Sequence, residues 1–490
     1  MAEWRITGDN PIRDIEGLDH ERCAALHNYI IELGWTQRGL SLDALDKRTW
    51  WECHSGDAAL TPDILERLEP AVISFLKAAW HGYSLDESVP QHCFHRYLGR
   101  LGFPDNLFNN VNYAEWEDDS NKRAYISLYL ANWALGATHP QGLILAQENG
   151  VAIQHMSLHN TNVTMNGRMG WLDLEVILDR YIEMIEQGKV VAVDDTYEGE
   201  QERISPWIMP SYTQLDLDET LEAFGELVNA ISSKMPSQPP TTEPARGLLD
   251  LVTGGNPQML RPHTLAHKFL CDAPVPSFTH IAPGLRIATQ QPFASASDFP
   301  GTPPLPGLED EDLPKEDPNK LVPLLLFSST LPAHQETIRS PWGEHIPVSS
   351  FTGRAPEPVS VPAGMYLTCR EPYGVHPFED GCKLLLSYTL GANGFARTSD
   401  EALIGEDIWD DGEDVRGQLQ PNSTDLYQLG YNFFVARHDV PLKHVLWKWV
   451  EMVNEGKWEV NNEGVVGGMD KWKEADTEEH WMDYQLPLTW

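Results

Sequence analysis

Paired cysteines, long apolar runs and positive charge are all scarce in this chain, and each scarcity removes a class of protein. The six cysteines (Cys23, Cys53, Cys93, Cys271, Cys369 and Cys382) stand far apart with no CxxC pair. Neither a zinc site nor a disulfide scaffold is signalled, and reduced thiols are the simplest reading. No uninterrupted apolar segment approaches the roughly twenty residues that span a bilayer. The opening Met1-Ala2-Glu3-Trp4-Arg5 has no basic stretch followed by an apolar run, so the expected location is the cytoplasm, with no membrane partner. Only 35 Lys and Arg stand against 73 Asp and Glu, a formal net charge of -38. That balance favours solubility and argues against an extended nucleic-acid-binding face, so any contact with RNA has to be local.

What is present suits a large packed core. The 490 residues are 41% hydrophobic and 10% aromatic, with 17 Trp, far from a disordered composition. Helical spacing covers residues 19–35. Thr61-Pro62 caps and opens a helical segment that runs to about residue 80 and is kinked or divided at Pro70. Further helices are expected over 124–135 and over 171–187, the latter stopped by Gly188. The β-branched run 189–193 reads as a strand. Another helix is expected over 216–233. Residues 236–244 and 274–318 are dense in Pro, Gly and Ser and read as loops or a linker. Beyond them, 321–327, 359–368 and 383–390 read as strands, and 441–455 as a helix with Asp439 near its cap and Gly456 at its end. The expected fold class is α+β, helix-rich in the N-terminal half and mixed α/β in the C-terminal half. Its expected organisation is a region 1–235, a connecting segment 236–320 and a region 321–490 packed with the first as one catalytic unit. The phrase at 183–189 is echoed at 451–457, which we read as two uses of one helix-to-glycine stop.

Chemistry concentrates at Asp194, Asp195 and Glu198, a D-D-x-x-E motif directly after the expected strand. Three carboxylates this close repel one another unless a cation or bound protons offset them. In a helical turn all three converge, whereas in an extended strand the two aspartates face opposite sides. An acidic surface loop is the plain alternative. A similar motif binds magnesium diphosphate in terpene synthases, but those are all-helical bundles with a second metal motif, and none is visible here. His263, His267 and Cys271 are spaced four apart, as for a metal site or a Cys-His nucleophile pair able to carry an acyl group. His155 with His159 and His92 with His95 read as ordinary core or surface histidines. The tryptophans, Trp50, Trp51, Trp447, Trp449, Trp458, Trp472, Trp481 and Trp490 among them, fill a core or stack bases. The basic residues available to meet an RNA end (Arg96 and Arg100, Lys122 and Arg123, Arg261 and Lys268) form no dense run.

The acidic motif after the Gly188 stop, together with Pro377-Phe378-Glu379-Asp380-Gly381-Cys382, Gly391-Ala392-Asn393-Gly394 and a tryptophan-rich acidic C-terminal stretch, resembles the fungal arginine-containing cyclodipeptide synthases. The resemblance covers most of the chain. It implies synthesis of a cyclo(Arg-Xaa) diketopiperazine of secondary metabolism from arginyl-tRNA and a second aminoacyl-tRNA. It also implies that Asp194, Asp195 and Glu198 are needed for activity. Aminoacyl-tRNA is already an activated ester, so no cofactor or metal is expected, nor any stable nucleic-acid complex. The reaction needs an amine deprotonated and aimed at a carbonyl, twice. Glu198 would relay the proton while Asp194 and Asp195 hold the guanidinium or α-ammonium of the substrate. Outside this family, a non-catalytic acidic binding protein remains the competing expectation.

Overall fold

The structure is a computed structural model that describes residues 3–56, 58–82, 93–108, 125–132, 142–155, 171–199, 201–237, 247–292, 323–333, 362–367, 378–404, 423–430 and 438–489. The chain divides into two units, the first Met1–Pro210 with Tyr431–Ala436 and Thr489–Trp490, the second Ser211–Gly430 with Arg437–Leu488. Both contain helices and sheet, so the molecule is α+β, and strands occur in both halves.

In the first unit, the Asp19 carboxylate accepts the Arg22 N–H and so starts α1 (His20–Gln37), which buries Cys23, Leu26 and Ile30. Thr49 and Glu52 form a reciprocal capping box on α2 (Trp50–His54). Pro62 and Pro70 each stand at the first position of a helix, α3 (Pro62–Arg67) and α4 (Pro70–Ala78), so Pro70 divides the segment as expected. Five antiparallel strands follow in chain order: β1 (Leu98–Leu101), β2 (Tyr125–Ala131), β3 (Gly142–Ala146), β4 (Val151–His155) and β5 (Leu172–Asp173). The expectation of a helix over 124–135 is corrected by β2. Five of that strand's seven residues are buried, so both its faces are covered and its apolar run loses the alternation that marks a half-exposed strand. Next, α5 (Leu174–Glu186) lays its apolar face against α1. It stops where Gly188 turns left-handed at φ 77°. A two-stranded hairpin, β6 (Val191–Ala192) with β7 (Trp207–Ile208), then sets Ala192 opposite Trp207 and leaves the acidic cluster in its connecting loop.

In the second unit, Thr213 and Asp216 cap α6 (Gln214–Lys234) reciprocally. Short helices α7 (Leu249–Val252) and α8 (Leu265–Asp272) follow. The sheet comprises β8 (His280–Ala282), β9 (Leu285–Ile287), β10 (Leu324–Pro332), β11 (Pro362–Leu367), β12 (Gly381–Leu390), β13 (Ser423–Asp425), β14 (Val440–Pro441), β15 (Val460–Asn461) and β16 (Gly464–Val465), the last two paired antiparallel. Its order is β13-β12-β11-β10-β9-β8-β16-β15 with β14 beside β12, and β16 runs parallel to β8. The β8–β9 pair corrects the reading of 274–318 as loop throughout, while 293–318 lies outside the described residues. Helix α9 (Leu442–Asn454) packs on α6 and ends at Gly456, φ 76°. Asp439 does not cap it, because its carboxylate takes the Lys383 ammonium at 2.8 Å. A 3-10 turn over Met469–Asp476 and α10 (Trp481–Tyr484) follow.

Trp449, Trp458 and Trp472 meet in the core of this unit with ring centroids 5.3–5.9 Å apart, so these aromatics fill a core and are closed to bases. The echoed phrases mark one device used once in each unit. Helices α5 and α9 have 13 residues each, follow a two-residue strand and end on a left-handed glycine. No helix among the described residues is long and apolar enough to cross a membrane.

Candidate functional site

The loop between β6 and β7 is held to the end of α1, because the Gln37 side-chain oxygen accepts the Ala192 N–H at 2.8 Å. Within the loop the three carboxylates have separate partners. Asp194 is exposed, and its Oδ1 accepts both the N–H of Thr196 (2.8 Å) and its hydroxyl (2.6 Å). This is an Asx turn, closed by the Tyr197 N–H to the Asp194 carbonyl. Those bonds, the hydroxyl first, hold the Asp194 carboxyl below the usual carboxylate range. Asp195, half-exposed at its side chain, is gripped by the Arg203 guanidinium through Oδ1 and faces Arg38 Nη2 through Oδ2 at 3.6 Å. Glu198 is exposed and has no hydrogen bond or ion pair among the described residues. The segment is thus a turn, and the helical convergence of the three side chains on one point is not formed. The structure joins Asp194 to Thr196, joins Asp195 to two arginines, and leaves Glu198 to solvent.

Those arginines are the residues that sequence reasoning missed. Arg38 caps the C-terminal end of α1, where a cation is favoured, yet its side chain is only 9% exposed. Burial, with Arg203 nearby and Asp195 opposing, lowers its pKa from the ordinary arginine value. Arg203 also donates to the Ser205 hydroxyl at 3.1 Å. The Nε atoms of both arginines are buried and lack a hydrogen-bond partner. Upstream, Arg96 anchors the same loop by donating to the Glu202 carbonyl at 3.0 Å. No local spacing announces this grouping, since Arg38 arrives from the far end of a helix and Arg203 from the return side of the hairpin.

The other expected constellations fare differently. On α8, Cys271 Sγ lies 3.7 Å from His267 Nδ1, so that pair does meet. Burial, with Asp272 and Asp250 nearby, pushes the thiol pKa up, the opposite of what an activated nucleophile requires. His263 lies exposed before the helix, its carbonyl accepting the Tyr212 hydroxyl. Among the described residues no set of three His, Cys, Asp or Glu is grouped to hold a metal ion. His95 is fully buried and stacked on Tyr181 at 4.1 Å, its pKa lowered to about 3 by burial. His92, His159, Lys122 and Arg123 lie outside the described residues. Lys268 sits over the Tyr212 ring and Arg100 over Phe103. The three sheets among the described residues differ from the all-helical architecture that accompanies the diphosphate motif.

A small cavity of about 50 Å³ opens elsewhere in the first unit, lined by Arg13, Asp19, Cys23, Asp173 and Glu175 among others, and the acidic loop contributes nothing to it. Beside it the buried Arg22 faces Glu175 at 3.4 Å, and burial, followed by the Asp19 charge, pushes the Glu175 carboxyl up to about 7. Comparison of the chain with protein-family models, curated proteins and solved structures gives no match.

Proposed function

We propose that this protein makes a cyclo(Arg-Xaa) diketopiperazine from arginyl-tRNA and a second aminoacyl-tRNA, in the cytoplasm where such esters are available. The observation that carries the reading is the guanidinium already seated on Asp195, which marks that carboxylate as a position able to recognise arginine. The motif's resemblance to the arginine-specific synthases adds to it. Asp194 shapes the turn and contributes its charge, Asp195 takes the substrate cation, and Glu198, having no internal partner, relays protons. In each of two transfers the α-amine nitrogen bonds to an ester carbonyl carbon. The carbon–oxygen bond to the ribose breaks, and the amine proton passes through Glu198 to the departing hydroxyl. The second transfer closes the ring.

Asp195→Asn and Glu198→Gln should each lower product formation by about 100-fold or more, the usual scale for losing a proton-transfer group or a charge-assisted contact. Near-normal yields from both variants would end the assignment. A second reading, a non-catalytic acidic binding protein, is favoured by the exposure of all three carboxylates and by the internal pairing of Asp195. Metabolite profiling of an expressing host separates the two. A new arginine-containing diketopiperazine supports the enzyme, and its absence supports the binding protein.

A further inference from the structure

A buried N–H is costly unless it finds an acceptor, and the Arg38 Nε has none among the described residues. Its side chain is about nine-tenths buried, and among the described residues it meets an acceptor only in the 3.6 Å ion pair to Asp195, too long for a hydrogen bond. Its Nε is sealed from solvent without a partner, and so is that of Arg203. The two guanidinia share the Asp195 carboxylate, Oδ1 on Arg203 and Oδ2 on Arg38, and Arg203 also donates to the Asp195 carbonyl at 3.4 Å. The Ser205 hydroxyl lies against Arg203, and the Trp35 ring lies beside Arg38 at 6.0 Å. Two buried Nε donors are left over after that sharing.

We propose that Arg38 and Arg203 form a phosphate-binding fork that takes an RNA backbone phosphate in exchange for Asp195. A phosphodiester presents two non-bridging oxygens in the same fork as a carboxylate, so Asp195 occupies the place of the phosphate in the resting protein. When phosphate enters, Asp195 is released to receive the cationic part of the substrate, and one event seats the RNA and arms the carboxylate. The strongly acidic chain thereby gains a local RNA contact without a basic face. The choice of RNA as the phosphate source rests on the aminoacyl-tRNA reading above, whereas the fork itself rests on the arginines alone.

Fluorescence anisotropy with labelled uncharged tRNA, over roughly 50–200 mM salt, tests the fork directly. The double variant Arg38→Gln/Arg203→Gln should bind about tenfold or more weakly and lose about one from the salt slope. Asp195→Asn should bind several-fold more tightly, a direction that mere structural damage would not give. Arg→Lys at both positions, which keeps the charge and loses the fork, should fall between wild type and the Gln pair, and it serves if the Gln pair does not fold. Unchanged affinity and slope in the double variant would overturn the fork. Inorganic phosphate binding as tightly as tRNA, phosphate for phosphate, would overturn RNA as its source. Wild type that forms no diketopiperazine but binds tRNA through both arginines keeps the fork and loses the activity. Product formed by a protein whose tRNA affinity ignores both arginines does the reverse.

Discussion

Asp476 offers a sharp test of how the second unit is held together. Its carboxylate is 4% exposed and accepts four backbone N–H groups from one turn: Gly391 and Asn393 on Oδ2, Phe395 and Ala396 on Oδ1, at 2.9–3.1 Å. Asn393 also returns a side-chain bond to the Asp476 carbonyl. The glycine-asparagine stretch at 391–394 is therefore the seat of a buried anion, a structural reason for its composition. In Asp476→Ala the N–H groups of Gly391 and Ala396 are left buried without an acceptor, at about 1.5–2 kcal/mol each. The two part-buried donors can recover water and cost about 0.5 kcal/mol each, giving a total of about 4 kcal/mol. Asp476→Asn keeps one oxygen for two donors but turns an NH2 toward the other two, so at least half of that loss should remain. Urea unfolding followed by tryptophan fluorescence suits the measurement, because the buried Trp472 lies one turn away. Against the roughly 5–15 kcal/mol of a typical domain the shift is large. A loss under about 1 kcal/mol in both variants would show that the turn stands without the anion and refute the reasoning.

Acid should attack the first unit before the second. In the first, burial lowers the pKa of His27 and His81 to about 4 and of His95 to about 3, while Glu175 is raised to about 7. Histidines with depressed values contribute stability above their unfolded value that is lost as pH falls through the folded ones, and the raised carboxyl does the opposite, losing stability as pH rises through about 7. Between about pH 4.5 and 6.5 the unfolded first unit holds roughly two more protons than the folded one, so stability falls by about 2–3 kcal/mol per pH unit on acidification. In the second unit His444, lowered to about 4, is offset by Asp425, raised to about 7. Hydrogen exchange at pH 5 and pH 7 should show β2 and β3 losing protection while β11 and β12 keep it, and equal losses in both sheets would contradict this. Two glycines make a steric pair. A methyl at Gly142 (φ 89°) would lie 2.0 Å from the Tyr129 carbonyl oxygen, whereas at Gly188 (φ 77°) nothing lies within 4 Å. Gly188→Ala should cost only the left-handed strain of about 1–2 kcal/mol, and Gly142→Ala should prevent folding. Similar melting temperatures for the two variants would refute the contrast.

The helices were legible because their ends are written locally. Asp19, Thr61 with Pro62, and Gly188 and Gly456 all do in space what their residue types suggest. Strands were legible where short leucine-rich runs stand between breakers, as in β10 and β12, and illegible where burial on both faces erased the alternation, as in β2. The β8–β9 pair was hidden because its own turn, Pro283-Gly284 with Gly284 at φ 70°, reads as one more piece of a proline-rich loop. At the candidate site the position of the cluster after a short strand was readable, and its partners were not. Asp195 meets Arg203 across a hairpin loop and Arg38 across the end of a helix, and the sequence assigns no spacing to such meetings.

The carboxylates themselves show why a motif read from sequence differs from a site. Their mutual repulsion led us to expect a cation from outside, and the fold supplies one from inside at Asp195 alone. Asp194 spends one oxygen on its own turn, and Glu198 simply stands in water. Any substrate cation therefore competes with Arg203 for Asp195, and because the contested carboxylate is itself half-exposed, little energy separates the two pairings. A free arginine has no advantage over the tethered one, whose local concentration is far higher. Only a substrate that brings its own anion for the displaced arginines can shift the balance, and the proposed substrate, arginine esterified to the terminal ribose of a phosphodiester chain, carries both charges in one molecule.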